Sequence, residues 1–263
     1  MSSAVFAKPA QASSATPPSP FLSIIVPAYN EEKRIGNTLT AILAYLQAQP
    51  FRCQVLIVDD GSHDRTAQVV ESLIHGMDNA RLIAYQPNRG KGYAVRQGML
   101  ASAGELVLFT DADLSTPVTA IDIALEHLQN GFDVVIGSRA IAGSEISRYQ
   151  PSYRRMGAKI FNILRDEIVG ADISRFKDTQ CGFKAFRGAA ARQLFGLLRI
   201  DGFMFDVEMI YVALQLGYRI YEMPVQWTDM PGSKLRLVRD TTRMFRDLAR
   251  IRLTHRHLIP RRG

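Results

Sequence analysis

Residues 55–62 read Val55-Leu56-Ile57-Val58-Asp59-Asp60-Gly61-Ser62. Four apolar residues in a row, with no polar alternation, describe a short strand covered on both faces, and the acidic, glycine-containing stretch after it marks a turn. The same pattern recurs where Leu106-Val107-Leu108-Phe109 runs into Thr110-Asp111-Ala112-Asp113, and where Val134-Val135-Ile136 runs into Gly137-Ser138-Arg139. Working outward, apolar periodicity predicts strands at 22–26, 54–58, 81–84, 106–110 and 133–136, with helices near 31–47, 64–74, 91–101 and 117–129 between them. Strands alternating with helices predict an α/β class: a doubly wound, mainly parallel sheet covered by helices on both faces. In such sheets ligands sit beyond the carboxyl ends of the strands, so the chemistry is sought in the loops that follow them.

The bulk composition narrows the class of molecule. A chain of 263 residues with 47% apolar content supports one sizeable core. Cys53 and Cys181 stand alone in apolar surroundings, which suggests neither a disulfide framework nor zinc and fits a reducing cytosol. No run approaches the 18 or so apolar residues that cross a bilayer. Residues 1–20 are rich in Ala, Ser and Pro and read as a disordered leader rather than a secretion signal. The net charge of +7 is concentrated at one end: residues 234–263 hold ten Lys or Arg against two Asp, leaving the remainder close to neutral. A basic body that wraps nucleic acid is therefore not expected.

Polar groups gather at the strand ends. The first strand runs into Pro27-Ala28-Tyr29-Asn30-Glu31-Glu32, beside the Asp59-Asp60-Gly61-Ser62 turn. A carboxylate such as Asp60 can accept from a base or ribose while Tyr29 offers a ring face. The competing reading is that Asn30 and Asp60-Gly61-Ser62 simply cap helices and form turns. Asp111 and Asp113, one residue apart at the end of a buried strand, can aim two carboxylates into one cleft, where oxygen ligands suit Mg²⁺ or Mn²⁺. Asn88-Arg89-Gly90-Lys91-Gly92 opens a helix with a basic turn, and Lys91 is either a phosphate ligand or a solvated helix start. Arg139, at the end of the fifth strand, is a better placed anion ligand.

These motifs, with Asp178-Thr179-Gln180-Cys181-Gly182-Phe183-Lys184, Phe205-Asp206-Val207-Glu208 and Gly232-Ser233-Lys234-Leu235, resemble family 2 glycosyltransferases. The resemblance runs from about Leu22 to Leu253 and is strongest to the dolichyl-phosphate β-glucosyltransferases and their bacterial polyprenyl-phosphate relatives. It implies a GT-A fold over residues 21–235, followed by a basic amphipathic helix and tail at 236–263. It further implies that Pro27, Tyr29, Glu31, Val58 and Asp60 line a nucleotide pocket, and that Asp111, Ala112 and Asp113 meet ribose, diphosphate and a Mg²⁺ or Mn²⁺ ion, with Asp113 the principal ligand. Arg139 with Arg154 or Arg155 would hold the acceptor phosphate, and Lys234 would reach the phosphates from a C-terminal loop. Asp113, Arg139 and Lys234 are thus the expected catalytic set. Two departures stand out: the leader replaces the membrane anchor of eukaryotic relatives, and Leu114-Ser115-Thr116-Pro117 after the paired aspartates is also seen in other polyprenyl-phosphate sugar transferases, which leaves the donor open.

The implied activity is inverting transfer of glucose from UDP-glucose to a polyprenyl phosphate at the cytoplasmic membrane face. GDP-mannose as donor, or a soluble hydroxyl acceptor, are the alternatives, and a binding module without catalysis is a third class disfavoured by the intact aspartate pair. A polyprenyl phosphate arrives ionised and needs no strong general base, so alignment and charge stabilisation are the tasks. Asp206 and Glu208 are then either a base for a hydroxyl acceptor or, as favoured, orienting groups. Leu237, Met244, Leu248 and Ile251 form an apolar stripe beside Arg239, Arg243, Arg246 and Arg250. This helix either lies on an anionic bilayer or docks on the domain with its arginines in solvent. A second apolar helix around Met156, Ile160, Ile163 and Leu164 leaves the same choice.

Overall fold

A computed structural model describes residues 19–147, 152–228 and 237–258, of which the side chains of 152–160, 171 and 237–243 are not described. In chain order the strands are β1 (Leu22–Ala28), β2 (Cys53–Asp59), β3 (Ala80–Ala84), β4 (Leu106–Thr110), β5 (Val134–Ser138), β6 (Glu145–Ile146), β7 (Phe183–Arg187), β8 (Ile220–Pro224) and β9 (Gln226–Trp227). The helices are α1 (Ile35–Gln47), α2 (Thr66–Ile74), α3 (Lys91–Ala101), α4 (Ala120–Gln129), α5 (Ser152–Val169), α6 (Gly188–Leu197), α7 (Phe205–Gln215) and α8 (Leu237–Thr254).

Seven strands pair in the order β3-β2-β1-β4-β7-β5-β8, and β6 pairs separately with β9. Neighbours in the main sheet are parallel except at β7, which runs antiparallel to both β4 and β5. The five predicted strands are present, and the α/β class with a mainly parallel sheet holds. β7 and β8 are additions that periodicity did not predict. In β7 the reason is physical: Lys184 and Arg187 interrupt the apolar pattern of Phe183-Lys184-Ala185-Phe186-Arg187, yet Lys184 is fully buried.

The runs that are apolar on both faces do divide between two cores. Ile25, Leu56, Val58, Val107, Phe109 and Phe186 face one layer, with residues of α3, α6, α7 and α8. Their strand neighbours Ile24, Val55, Ile57, Leu108 and Ala185 face the other, with residues of α1, α2 and α4. Register then sets the site: Ala28 lies beside Asp59, and β4 runs parallel to β1 with Phe109 beside Ile25, so the loops after β1, β2 and β4 leave one edge together, where the antiparallel β7 begins with Phe183 beside Thr110.

α1 begins at Ile35 rather than at Glu31, because the amides of Asn30, Glu31 and Glu32 donate to Ser62 Oγ, Thr66 Oγ1 and Asp64 Oδ2 in the neighbouring loop. Residues 1–18 of the expected leader, and Lys234, lie outside the described residues.

The C-terminal helix resolves one open choice. Leu248 and Ile251 are fully buried in the core that includes α7, with Met244 packed against it, so this part of the apolar stripe is docked on the domain. Phe245 and Leu253 remain exposed, as does Arg246. Truncating a buried aliphatic side chain costs about 2–5 kcal/mol, against less than about 0.5 kcal/mol at an open surface position. Ile251→Ala is therefore expected to lower urea stability far more than Leu253→Ala, and equal effects would reject the docked orientation.

Candidate active site

The loops after β1 and β2 are laced together. Asn30 sits in the left-handed region (φ 53°), and its Oδ1 accepts from His63 N at 2.8 Å while its own amide donates to Ser62 Oγ at 2.9 Å. Asp59 accepts from both the amide and the hydroxyl of Ser62. Asn30 and Ser62 thus join loop to loop, Asp59 braces Ser62 within its own turn, and it is Asp64, through Oδ1 on Thr66 N, that meets the first amide of α2. Pro27 is buried, Tyr29 is half-buried and edge-on to His63, and the Glu31 carboxylate is forked by Arg34 at 2.7 and 2.9 Å. Val58 is fully buried in the core, so its side chain lies beneath the loops rather than open to them.

Asp60 is the anchor of the next loop. Its Oδ1 accepts from Tyr85 Oη (2.9 Å) and Arg89 N (2.8 Å), and its Oδ2 from Asn88 Nδ2 (2.7 Å) and Gly90 N (2.8 Å). These four donors saturate a carboxylate. Burial raises the Asp60 pKa from its ordinary value despite the opposing amide and Tyr85 hydrogen bonds. The turn it holds leads directly to Lys91, whose Nζ lies 2.6 Å from Asp111 Oδ1. The basic turn thus joins the two acidic loops.

After β4 the chain alternates. Ala112 buries its methyl and gives its carbonyl to Thr38 Oγ1 at 2.6 Å, while Asp111 and Asp113 on either side stay partly exposed. Asp113 Oδ1 takes the amide and hydroxyl of Ser115 at 3.0 and 2.8 Å. Asp111 is seated against β7: its amide donates to Gly182 O at 3.1 Å, and a Cβ on Gly182 would lie 1.8 Å from Asp111 Oδ2. Only glycine leaves room for that carboxylate.

Beneath it lies a second pair. Lys184 Nζ, fully buried, contacts Asp206 Oδ1 at 2.5 Å and Cys181 O at 2.6 Å. Burial pulls the Lys91 ammonium down, but Asp111, Asp206 and Asp113 outweigh it and hold its pKa above the ordinary value. Burial likewise raises Asp206, against the pull of Lys184 and Lys91. Three carboxylates and two ammonium groups therefore form one electrostatic cluster with an excess of negative charge. Its oxygen donors fit a hard divalent cation held open for further oxygen ligands. Among the described residues no set of three His, Cys, Asp or Glu is gathered for a metal, so Asp111 and Asp113 would supply only part of a coordination shell.

Arg139, after β5, is forked onto Asp178 through Nε (2.6 Å) and Nη2 (2.9 Å), with its amide on the same carboxylate at 3.0 Å. Its guanidinium lies 5.3 Å over the Trp227 ring. Burial opposes ionisation of Asp178, but Arg139 overcomes it and keeps the carboxyl below its usual range.

Asp206 and Glu208 are both buried and committed to protein partners. Glu208 accepts from the amides of Arg199 (2.9 Å) and Ile200 (2.8 Å) and contacts His255 Nε2 at 2.7 Å. Both carboxylates are thus turned to donors of the protein rather than to the open cleft. Arg154 and Arg155 lie on α5, and their side chains are outside the description. Lys91, read from the sequence as a phosphate ligand or a solvated helix start, is instead paired with Asp111; the partner roles of Asp178, Gly182 and Lys184 were beyond sequence reasoning, although all three fall within the quoted Asp178–Lys184 motif.

Gly182→Ala is expected to push the Asp111 carboxylate off its seat, and so to weaken divalent-cation binding about tenfold or more with the melting temperature little changed. Titration with Mn²⁺ followed by electron paramagnetic resonance checks this, and undiminished binding would contradict the seat's role.

Comparison with known proteins agrees with this geometry. The family model described as Glycosyl transferase family 2 matches residues 23–195. Dolichyl-phosphate beta-glucosyltransferase of Drosophila melanogaster is 38% identical over 244 residues, covering 88% of this chain and 74% of that protein. The Homo sapiens protein of the same name is 36% identical over 251 residues, covering 90% and 76%. Among solved structures, Mycobacterium tuberculosis glucosyl-3-phosphoglycerate synthase with uridine-diphosphate superposes with a TM-score of 0.62 at 19% identity, over 93% of this chain and 82% of that one. The same synthase with Mn²⁺, uridine-diphosphate and glucosyl-3-phosphoglycerate also gives 0.62, at 18% identity and the same coverage. The expected GT-A fold is borne out, and the chain belongs to glycosyl transferase family 2.

Proposed function

We propose that this hexosyltransferase moves glucose from UDP-glucose to a polyprenyl phosphate at the cytoplasmic face of a membrane, with inversion at the anomeric carbon. The observation that carries the acceptor class is the closure of Asp206 and Glu208: the two carboxylates offered as bases for a hydroxyl acceptor are buried and engaged. An acceptor phosphate needs no proton removed, because its oxygen is already anionic. The names of the relatives at 36–38% identity support the same acceptor and sugar.

In this mechanism the acceptor oxygen forms the new bond to the sugar C1 while the bond from C1 to the nucleoside diphosphate breaks, and the electron pair leaves on the diphosphate. Asp111 and Asp113 would hold Mg²⁺ or Mn²⁺, which neutralises diphosphate charge when bound. Lys91 contributes a fixed cation at the same place, and Lys234 is proposed to add another from the C-terminal loop. Arg139, held rigid by Asp178 with Nη1 outside the pair, would orient the acceptor phosphate together with Arg154 or Arg155. Pro27, Tyr29, Glu31, Val58, Asp60 and Ala112 are proposed to shape the nucleoside and ribose subsite, Asp60 by fixing the Asn88–Lys91 turn.

Among the described residues no helix is long and apolar enough to cross a membrane. Peripheral attachment is proposed through α5 and α8, where Ile163 and Leu253 are each 67% exposed and arginines surround Leu253.

Transfer of radiolabelled sugar from UDP-glucose, GDP-mannose and UDP-N-acetylglucosamine to undecaprenyl phosphate tests the assignment. UDP-glucose is expected to be the preferred donor, and preference for GDP-mannose or for a soluble hydroxyl acceptor would replace it. Asp113→Ala is expected to lower transfer by about two orders of magnitude or more in a folded protein. Full activity of that variant would remove the metal role. Neutralising Arg239, Arg243, Arg246 and Arg250 together is expected to release the protein from anionic vesicles, and unchanged co-sedimentation would refute membrane attachment by α8.

A further inference from the structure

Glu208 is a carboxylate at 0% exposure, and its partners are two backbone amides and a histidine rather than a Lys or Arg. Burying a carboxyl group is costly unless its oxygens meet donors, and an apolar side chain of similar volume would satisfy the core more cheaply. What the carboxylate supplies is direction, because its donors come from different segments. His255, just after α8, presents Nε2 to it, while His255 Nδ1 is buried with no hydrogen-bond partner among the described residues. The Nε2–H tautomer, donating to Glu208, is the assignment that leaves no N–H unpaired.

The two amides belong to the segment that buttresses the basic turn. Asp201 O accepts from Tyr93 N at 3.1 Å, and the Asp201 carboxylate takes Arg96 Nη2 at 2.8 Å and Arg89 Nη2 at 3.2 Å. Arg96 Nη1 reaches Leu198 O at 3.1 Å. The fit is close enough that a Cβ on Gly90 (φ 112°) would lie 2.6 Å from Asp201 O. On its other side the same turn delivers Arg89 N and Gly90 N to Asp60, and Lys91 Nζ to Asp111. A continuous set of contacts thus runs from α8 through Glu208 and residues 198–201 to both acidic loops.

We propose that Glu208 is a positioning residue for the Asn88–Lys91 turn, and that His255 couples the seating of α8 to that turn and so to donor affinity. The second half rests on the donor site argued above; the first half does not. α8 is the helix that the chain enters directly after the segment carrying Lys234. Whatever shifts its seat therefore bears on the Lys91–Asp111 pair through Glu208.

The test uses the full-length protein with His255→Leu, which removes the donor, His255→Gln, which restores an N–H, and Asp201→Asn, which weakens the last link at a partly exposed position. Amide hydrogen exchange of the 86–96 region is read beside the UDP-glucose KM, the polyprenyl-phosphate KM and kcat. In His255→Leu and Asp201→Asn, exchange in 86–96 and the UDP-glucose KM are each expected to rise about three- to thirty-fold, with the acceptor KM unmoved. His255→Gln is expected to recover most of both. Unchanged exchange in folded His255→Leu overturns the coupling, and if that variant fails to fold, unchanged exchange in Asp201→Asn does so. A parallel loss in donor KM, acceptor KM and kcat that tracks the melting temperature also overturns it, since that marks general loosening. If the wild type ignores UDP-glucose while exchange still responds, the donor assignment fails and the positioning role stands.

Discussion

The 2.6 Å contact between Lys91 and Asp111 depends on both halves of the sheet. Lys91 is delivered by a turn that Asp60 organises from the end of β2, and Asp111 is seated by Gly182 just before β7. An ammonium and a carboxylate held this close exclude a loose site, because each is placed by backbone contacts rather than by a flexible stem alone. The remaining members of the cluster follow from it: Asp113 on the same loop, and the Lys184–Asp206 pair underneath. The surplus of negative charge is what suits this place to a cation, and the fixed lysine is what suits it to phosphate.

That arrangement constrains the chemistry more than the motifs alone do. Paired carboxylates in a glycosyltransferase invite assignment of a general base, yet burial alone cannot decide whether Asp206 and Glu208 act so. Their partners do. Asp206 is paired through Oδ1 with a buried lysine, and Glu208 is held by the amides of residues 199 and 200 with His255. Arg139 is similarly immobilised, on Asp178, which converts a flexible cation into an oriented one. Rigid positive groups, with Asp206 and Glu208 both turned to protein partners, suit an acceptor that is already ionised.

The C-terminal helix carries two requirements at once. Its Leu248 and Ile251 complete the core, and His255 reaches the buried Glu208, so it is an integral part of the domain over this stretch. Phe245, Leu253 and Arg246 still point outward. An amphipathic pattern by itself cannot say which apolar residues are spent inward, since a stripe about one-third of the helix wide serves a core and a bilayer equally well.

Much of the architecture is determined locally. Val55–Val58 and Leu106–Phe109 are apolar at every position, and a strand with no polar face can only lie between two layers of helices. The acidic stretches that end these strands, Asp59-Asp60 and Asp111-Ala112-Asp113, were therefore legible as loops at one sheet edge. Pairing was not legible. That β7 runs antiparallel between β4 and β5 follows from long-range packing, and its buried Lys184 disguises it as a polar segment. That Asp60 is filled by its own protein, that Asp111 meets Lys91, and that Glu208 faces His255 47 residues away all depend on contacts between distant segments. Residue type and period determine which groups can ionise and which strands are buried; only the folded chain decides which charges meet, because Coulomb and hydrogen-bond energies depend on distance and direction that sequence spacing does not contain.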